Sequence, residues 1–214
     1  PAVSDLVISP DFEEDGVILA GTTEDGVYRS ANRGSHWTRW NFGLLDLNVM
    51  CLAISPAFAE DETLFAGVES GIFRSTNGAR AWREIDLPVG FEPVLSLAIS
   101  PTFAEDETLF AGTESQGLLR SDDGGRTWVR VETTDLAGPI NQLILAKEDD
   151  QRFRLLALVE DGLLVSEDDG ATWQAVETEV GQITAVAAPD GLDRGAMLLV
   201  GCLGGEIYRI TLTI

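Results

Sequence analysis

The chain has 214 residues, 44% of them hydrophobic, and its 36 acidic against 14 basic side chains give a formal net charge of −22. Such a field repels nucleic acid and anionic membranes and favours cations or basic partners. No stretch approaches the ~18 apolar residues of a membrane helix, and two cysteines, Cys51 and Cys202, make no disulfide framework and read as buried free thiols.

The chain as given opens Pro1-Ala2-Val3 without a basic and then apolar leader, which favours the cytoplasm as an expectation. Val3 to Ser9 predicts a first strand, ended by Ser9-Pro10. Phe12 and an acidic turn follow, and Ile18-Leu19-Ala20-Gly21 predicts a second strand. The pattern then restarts. Ala53-Ile54-Ser55-Pro56 and Ala98-Ile99-Ser100-Pro101 repeat Val7-Ile8-Ser9-Pro10, each with a Phe two residues later (Phe58, Phe103). Leu64-Phe65-Ala66-Gly67 and Leu109-Phe110-Ala111-Gly112 repeat the second run, with weaker copies at Leu155–Leu158 and Leu198–Gly201.

In the second unit the apolar runs are 49–55, 63–68, 71–75 and 81–85. Runs this short between turn signals are strands, not helices, and four antiparallel strands in about 45 residues make one propeller blade. The expected fold is therefore all-β, a β-propeller of five blades at about 1–45, 46–91, 92–137, 138–180 and 181–214. The blades are expected to close into a circle, since closure removes exposed ends. The fifth offers only Ile183–Ala188, Ala196–Cys202 and Glu206–Ile214, so it is expected to have three strands, with self-association at its bare outer edge.

Between the third and fourth strands runs Ser-x-Asp/Asn-x-Gly-x-x-Trp. Its copies are Ser30, Asn32, Gly34, Trp37; Ser75, Asn77, Trp82, with Ala79 in place of Gly; Ser121, Asp123, Gly125, Trp128; and Ser166, Asp168, Gly170, Trp173. The carboxylate or amide accepts backbone N–H groups of the turn, Gly permits positive φ, and the indole covers the turn. The Ala79 copy is expected to be looser. This pattern resembles the Asp-box (BNR) repeat family, which includes bacterial sialidases, sortilin-type receptors and photosystem II assembly factors. The resemblance covers about four fifths of the chain. It implies a sialidase-like propeller in which the boxes are structural and lie on the periphery, away from any active site.

Enzymatic chemistry has little support in the residues. Arg29, Arg74, Arg120 and Arg209 occupy one repeat position, and Tyr28 and Tyr208 adjoin two of them, so all serve the repeat. His36, the only histidine, sits inside a box turn, and no zinc spacing, Walker loop or Rossmann fingerprint is present. We therefore assign no catalytic residue, cofactor or metal, although a carboxylate pair for glycoside hydrolysis remains compatible with so acidic a sequence.

The turns between second and third strands carry Glu24, Glu69, Glu114 and Glu160, expected as a partial acidic ring around the channel mouth that would hold a cation or a Lys/Arg group. The inter-blade loops on that face are unusually apolar, with Trp40, Phe42 and Phe91, and clustered exposed apolar residues mark contact surfaces. The expectation is a non-catalytic scaffold binding a protein or peptide there, the alternative a glycan-binding or glycoside hydrolase (sialidase-like) domain.

Overall fold

The computed structural model describes residues 1–136, 138–148, 152–160 and 162–213. Asp161, expected in a turn, and Ile214, expected to end the last strand, lie outside the described residues. Blade 1 is β1 (Val3–Ile8), β2 (Ile18–Thr22), β3 (Gly26–Ser30) and β4 (Thr38–Arg39); blade 2 is β5 (Val49–Ile54), β6 (Thr63–Val68), β7 (Gly71–Thr76) and β8 (Arg83–Ile85). Blade 3 is β9 (Val94–Ile99), β10 (Leu109–Thr113), β11 (Leu118–Ser121) and β12 (Val129–Arg130); blade 4 is β13 (Ile140–Lys147), β14 (Phe153–Val159), β15 (Gly162–Ser166) and β16 (Gln174–Ala175). Blade 5 has β17 (Ile183–Ala187), β18 (Met197–Cys202) and β19 (Ile207–Thr211). Every blade is an antiparallel meander in chain order, four-stranded in the first four and three-stranded in the last. The fold is a five-bladed β-propeller.

The acidic turn after each Ser-Pro is a single helical turn: α1 (Phe12–Asp15), α2 (Phe58–Asp61) and α3 (Phe103–Asp106). Each is locked by its last residue. Ser9, Ser55 and Ser100 donate their hydroxyls to Asp15, Asp61 and Asp106 at 2.6, 2.6 and 2.8 Å. The same carboxylates accept the N–H of Val17, Thr63 and Thr108 and so start the second strand. The sequence showed the acids but not their use as a local cap.

Blade packs on blade in one repeated sense. Leu19 and Val27 of blade 1 pack on Leu64, Ala66, Phe58 and Trp82 of blade 2. Phe65 and Ile72 of blade 2 meet Leu109, Ala111, Phe103 and Trp128 of blade 3. Phe110 and Leu118 of blade 3 meet Leu155, Ala157, Phe153 and Trp173 of blade 4, and Leu156 and Leu163 of blade 4 meet Leu198 and Val200 of blade 5. Phe65 and Phe103 cross edge to face, centroids 6.1 Å apart. Among the described residues no core joins blade 5 to blade 1, so the five blades form an arc, where the sequence led us to expect a closed circle. The reason is physical: whether the first and last faces meet depends on the angle accumulated over four inter-blade cores, which the repeat spacing does not encode.

Candidate functional site

The four box turns are built on the same local hydrogen bonds. Ser30, Ser75, Ser121 and Ser166 donate to the Asn or Asp two residues on, at 2.9 to 3.0 Å. Asn32, Asn77, Asp123 and Asp168 accept the N–H of His36, Ala81, Thr127 and Thr172 at 2.8 to 2.9 Å. Gly34, Gly125 and Gly170 have φ of 80, 76 and 88°, and Ala79 adopts 73° in their place. That box is not looser, because the Ala79 N–H still reaches Ser75 at 3.0 Å and its methyl is buried against blade 1. The indole N–H groups of Trp37 and Trp173 close on their own turns, at Gly34 and Gly170. That of Trp82 crosses to the Trp40 carbonyl at 2.8 Å, and that of Trp128 has no partner among the described residues. In all four boxes the serine hydroxyl and the carboxylate or amide two residues on are taken up by bonds within the turn.

Glu24, Glu69, Glu114 and Glu160 are all exposed on the turns expected, and Glu24 has φ 73°. Among the described residues no group of three or more His, Cys, Asp or Glu side chains could hold a metal ion. The turns are instead fastened to the inter-blade loops by residues that the repeat logic passed over. Asn41 accepts from the Val27 N–H and donates to the Asp25 carbonyl. Asp46 accepts from the N–H of Ser70 and of Asn48, and the Asn48 amide donates to Glu69 at 3.0 Å. The Glu92 carboxylate accepts the N–H groups of Ser115 and Gln116, and the Pro93 carbonyl accepts that of Glu114. Each clamp is a polar residue in an apolar loop shortly before the next blade's first strand, which is the one signal that would have found them. Beside Glu24, Asp25 accepts from the Tyr28 hydroxyl and from Arg39 at 2.7 Å, and these two partners hold its carboxyl below the usual range.

These clamps decide which loop side chains face solvent. Trp40 is half-buried, packed against the core between blades 1 and 2, with the guanidinium of Arg29 4.8 Å from its ring centroid. Leu44 is buried beside it. Phe42, Leu45 and Phe91 are 80, 79 and 82% exposed. Phe91 immediately precedes Glu92, the residue that grips the Glu114 turn, and Leu45 immediately precedes Asp46, which grips the Glu69 turn. A shallow pocket of about 270 Å³ lies at Arg39, Trp40, Asn41, Phe42 and Arg80. A larger cleft of about 610 Å³ on blade 2 is lined by Arg74, Arg83, Arg126, Glu84, Asp86 and the largely buried Trp82. Cys51 and Cys202 are free and buried.

A meander repeated around an arc, and sealed in four of its five blades by a Ser, Asp or Asn, Gly or Ala, and Trp device, defines an Asp-box propeller. The chain belongs to the family described as photosynthesis system II assembly factor YCF48, whose sequence model matches residues 33–204. None of the curated proteins matches it. Among solved structures it is similar to a GH74 xyloglucanase from Xanthomonas campestris, with a TM-score of 0.71 and 23% identity over 98% of this chain and 36% of that one. It is also similar to a GH74 enzyme from Niastella koreensis (TM-score 0.68, 18% identity, 98% and 37% covered) and to an ancestral GH74 enzyme (0.71, 18%, 97% and 31%). This chain thus spans about a third of the length of those proteins, and at such identities the likeness is one of fold.

Proposed function

We propose that the protein is a non-catalytic scaffold that binds a protein or peptide partner through the face carrying its inter-blade loops and acidic turns. The observation behind this reading is the exposure of Phe42, Leu45 and Phe91 on loops whose neighbouring residues are clamped. Apolar side chains held out on preorganised loops lose little entropy on binding and supply the aromatic anchors that interfaces use. The exposed Glu24, Glu69, Glu114 and Glu160 around them suit a basic partner and speed its encounter. Membership of an assembly-factor family supports a protein partner over a small molecule.

The test is recovery of partners from the source organism by wild-type protein, by Phe42→Ser with Phe91→Ser, and by Glu69→Gln with Glu114→Gln and Glu160→Gln. The reading expects the first variant to lose the partner and the second to bind more weakly, with salt dependence reduced. Undiminished recovery by the aromatic variant would refute it. A second reading, a glycan-binding or glycoside-processing domain, draws on the GH74-like fold and on the cleft holding Glu84 and Asp86. Saturable binding of xyloglucan oligosaccharides, abolished by Glu84→Gln, would favour that reading instead. Self-association at the outer edge of blade 5, along β19, is a further proposal that follows from its missing fourth strand.

A further inference from the structure

Arg29, Arg74 and Arg120 hold one position in three successive blades, opposite the short outer strand of their own blade and beside the box turn of the next. The three grooves follow one plan but are filled differently. In the first, the Trp40 N–H bonds to the Val27 carbonyl, and the ring centroid lies 4.8 Å from the Arg29 guanidinium and 5.9 Å from that of Arg80. In the third, Arg120 forms ion pairs with Asp122 at 2.8 Å and with Asp169 at 2.9 Å. In the second, Arg74 has no ring contact and no ion pair among the described residues, and its buried Nε–H has no partner there.

Strand register shows which substitution opens the second groove. Val27 pairs with Gly21 as Ile72 pairs with Gly67, and Ile72 faces Ile85, so Ile85 stands where blade 1 has Trp40. Arg126 stands where the preceding box has Arg80, five residues after the box serine. Both are anchored alike, Arg80 on Glu62 at 2.7 Å and Arg126 on Glu107 at 3.3 Å. Arg126 is near enough to Arg74 to join burial in lowering its pKa, as Arg80 does for Arg29. Both guanidinia are therefore kept, and only the indole is exchanged for a smaller side chain. Ile85 packs on the core between blades 2 and 3 and lines the cleft of about 610 Å³, against about 270 Å³ for the pocket at Trp40. The larger volume falls in the range of ligand sites, about 300–1,000 Å³, and the smaller one does not.

We propose that this cleft binds an aromatic side chain of a partner protein, which rests on Ile85 against the guanidinia of Arg74 and Arg126 as Trp40 rests against those of Arg29 and Arg80. The occupant is read from the chain itself, whose own ring takes the equivalent place one blade earlier. Ions suit the cleft less well. An anion meets Glu84 and Asp86 in the same lining and a chain of net charge −22, and a cation meets Arg74, Arg83 and Arg126. A neutral ring is repelled by neither set and attracts guanidinium groups through its face. The inference goes beyond the loop-face reading and stands whether or not Phe42, Leu45 and Phe91 hold a partner. It gives to a ring the cleft in which the second reading above would place a glycan.

The test is an NMR titration of the full chain, read at backbone amides and arginine side chains, with N-acetyltryptophan amide as a neutral indole probe. Phosphate and xyloglucan oligosaccharides are titrated in parallel. The indole is expected to give saturable shifts at residues 83–86 and at the Arg74 and Arg126 side chains, and none at residues 39–41, where Trp40 already fills the groove. Arg74→Met keeps the apolar stem and removes the charge, and is expected to weaken the probe about two- to fivefold. Ile85→Trp supplies the ring from the chain and is expected to abolish the shifts. The amide spectrum checks that each variant is folded. No saturable shift up to the solubility limit of the indole would overturn the proposal, as would shifts of equal size at residues 39–41. So would Ile85→Trp that binds the indole as wild type does, or shifts given by phosphate or the oligosaccharides and not by the indole.

Discussion

Replacing the box glycines by alanine gives different penalties at equivalent positions, and the difference is set by the neighbouring blade. Gly34 and Gly125 both have positive φ, 80 and 76°, so a Cβ costs each about 1–2 kcal/mol in backbone strain. At Gly34 the new methyl would meet only an Ile18 methyl at 3.7 Å and the Trp37 ring at 3.9 Å, ordinary contacts. At Gly125 it would lie 2.3 Å from the ring of Phe65 in blade 2, which is fully buried and has nowhere to go. Overpacking of that kind adds about 1–3 kcal/mol. Gly125→Ala should therefore lose about 2–5 kcal/mol and Gly34→Ala about 1–2 kcal/mol. Urea unfolding followed by tryptophan emission, at low protein concentration, measures both, with equal m values as the check that only stability changed. Equal losses at the two sites would refute the reasoning, because they would show that the preceding blade's face does not set the cost.

Three further outcomes are expected. Burial tends to raise the Asp123 carboxyl, but hydrogen bonds from the Thr127 hydroxyl and N–H, the Ser121 hydroxyl and the Arg126 N–H outweigh it and hold it at about 2 against an ordinary 3.8. A folded value below the unfolded one means stability that is complete above pH 4 and lost as pH falls toward 2, so Asp123→Asn should flatten the stability–pH curve in that window. Arg154, largely buried, donates to the Leu192 carbonyl at 2.8 Å and to Glu148, Glu167 and Asp193 at 2.9 to 3.1 Å. Arg154→Met should cost about 1–3 kcal/mol and raise amide exchange in residues 189–213 first. Burial pushes the Cys51 thiol up, with Asp5 adding to the effect, so in the native protein it should react with a thiol reagent only on unfolding, which a titration in and out of denaturant checks.

The repeat was legible because each of its marks has a local job. Ser9, Ser55 and Ser100 cap their helical turns, and the four box serines order theirs, within six residues of chain. The missing fourth strand of blade 5 was legible for the same reason. What could not be read was whatever depends on a neighbour brought near by folding. Asn41, Asp46 and Glu92 clamp turns up to 24 residues away and occupy no common repeat position. Trp40 and Phe42 look alike as exposed loop aromatics in sequence, yet one packs under Arg29 and the other faces water.

The most direct measurement of the binding account is amide exchange of the protein alone and with its recovered partner. The account predicts protection confined to loops 40–48 and 86–93 and to the turns at 24–26, 69–71 and 114–117. Protection falling on the box turns at 30–37, 75–82, 121–128 and 166–173, with the loops unchanged, would contradict it.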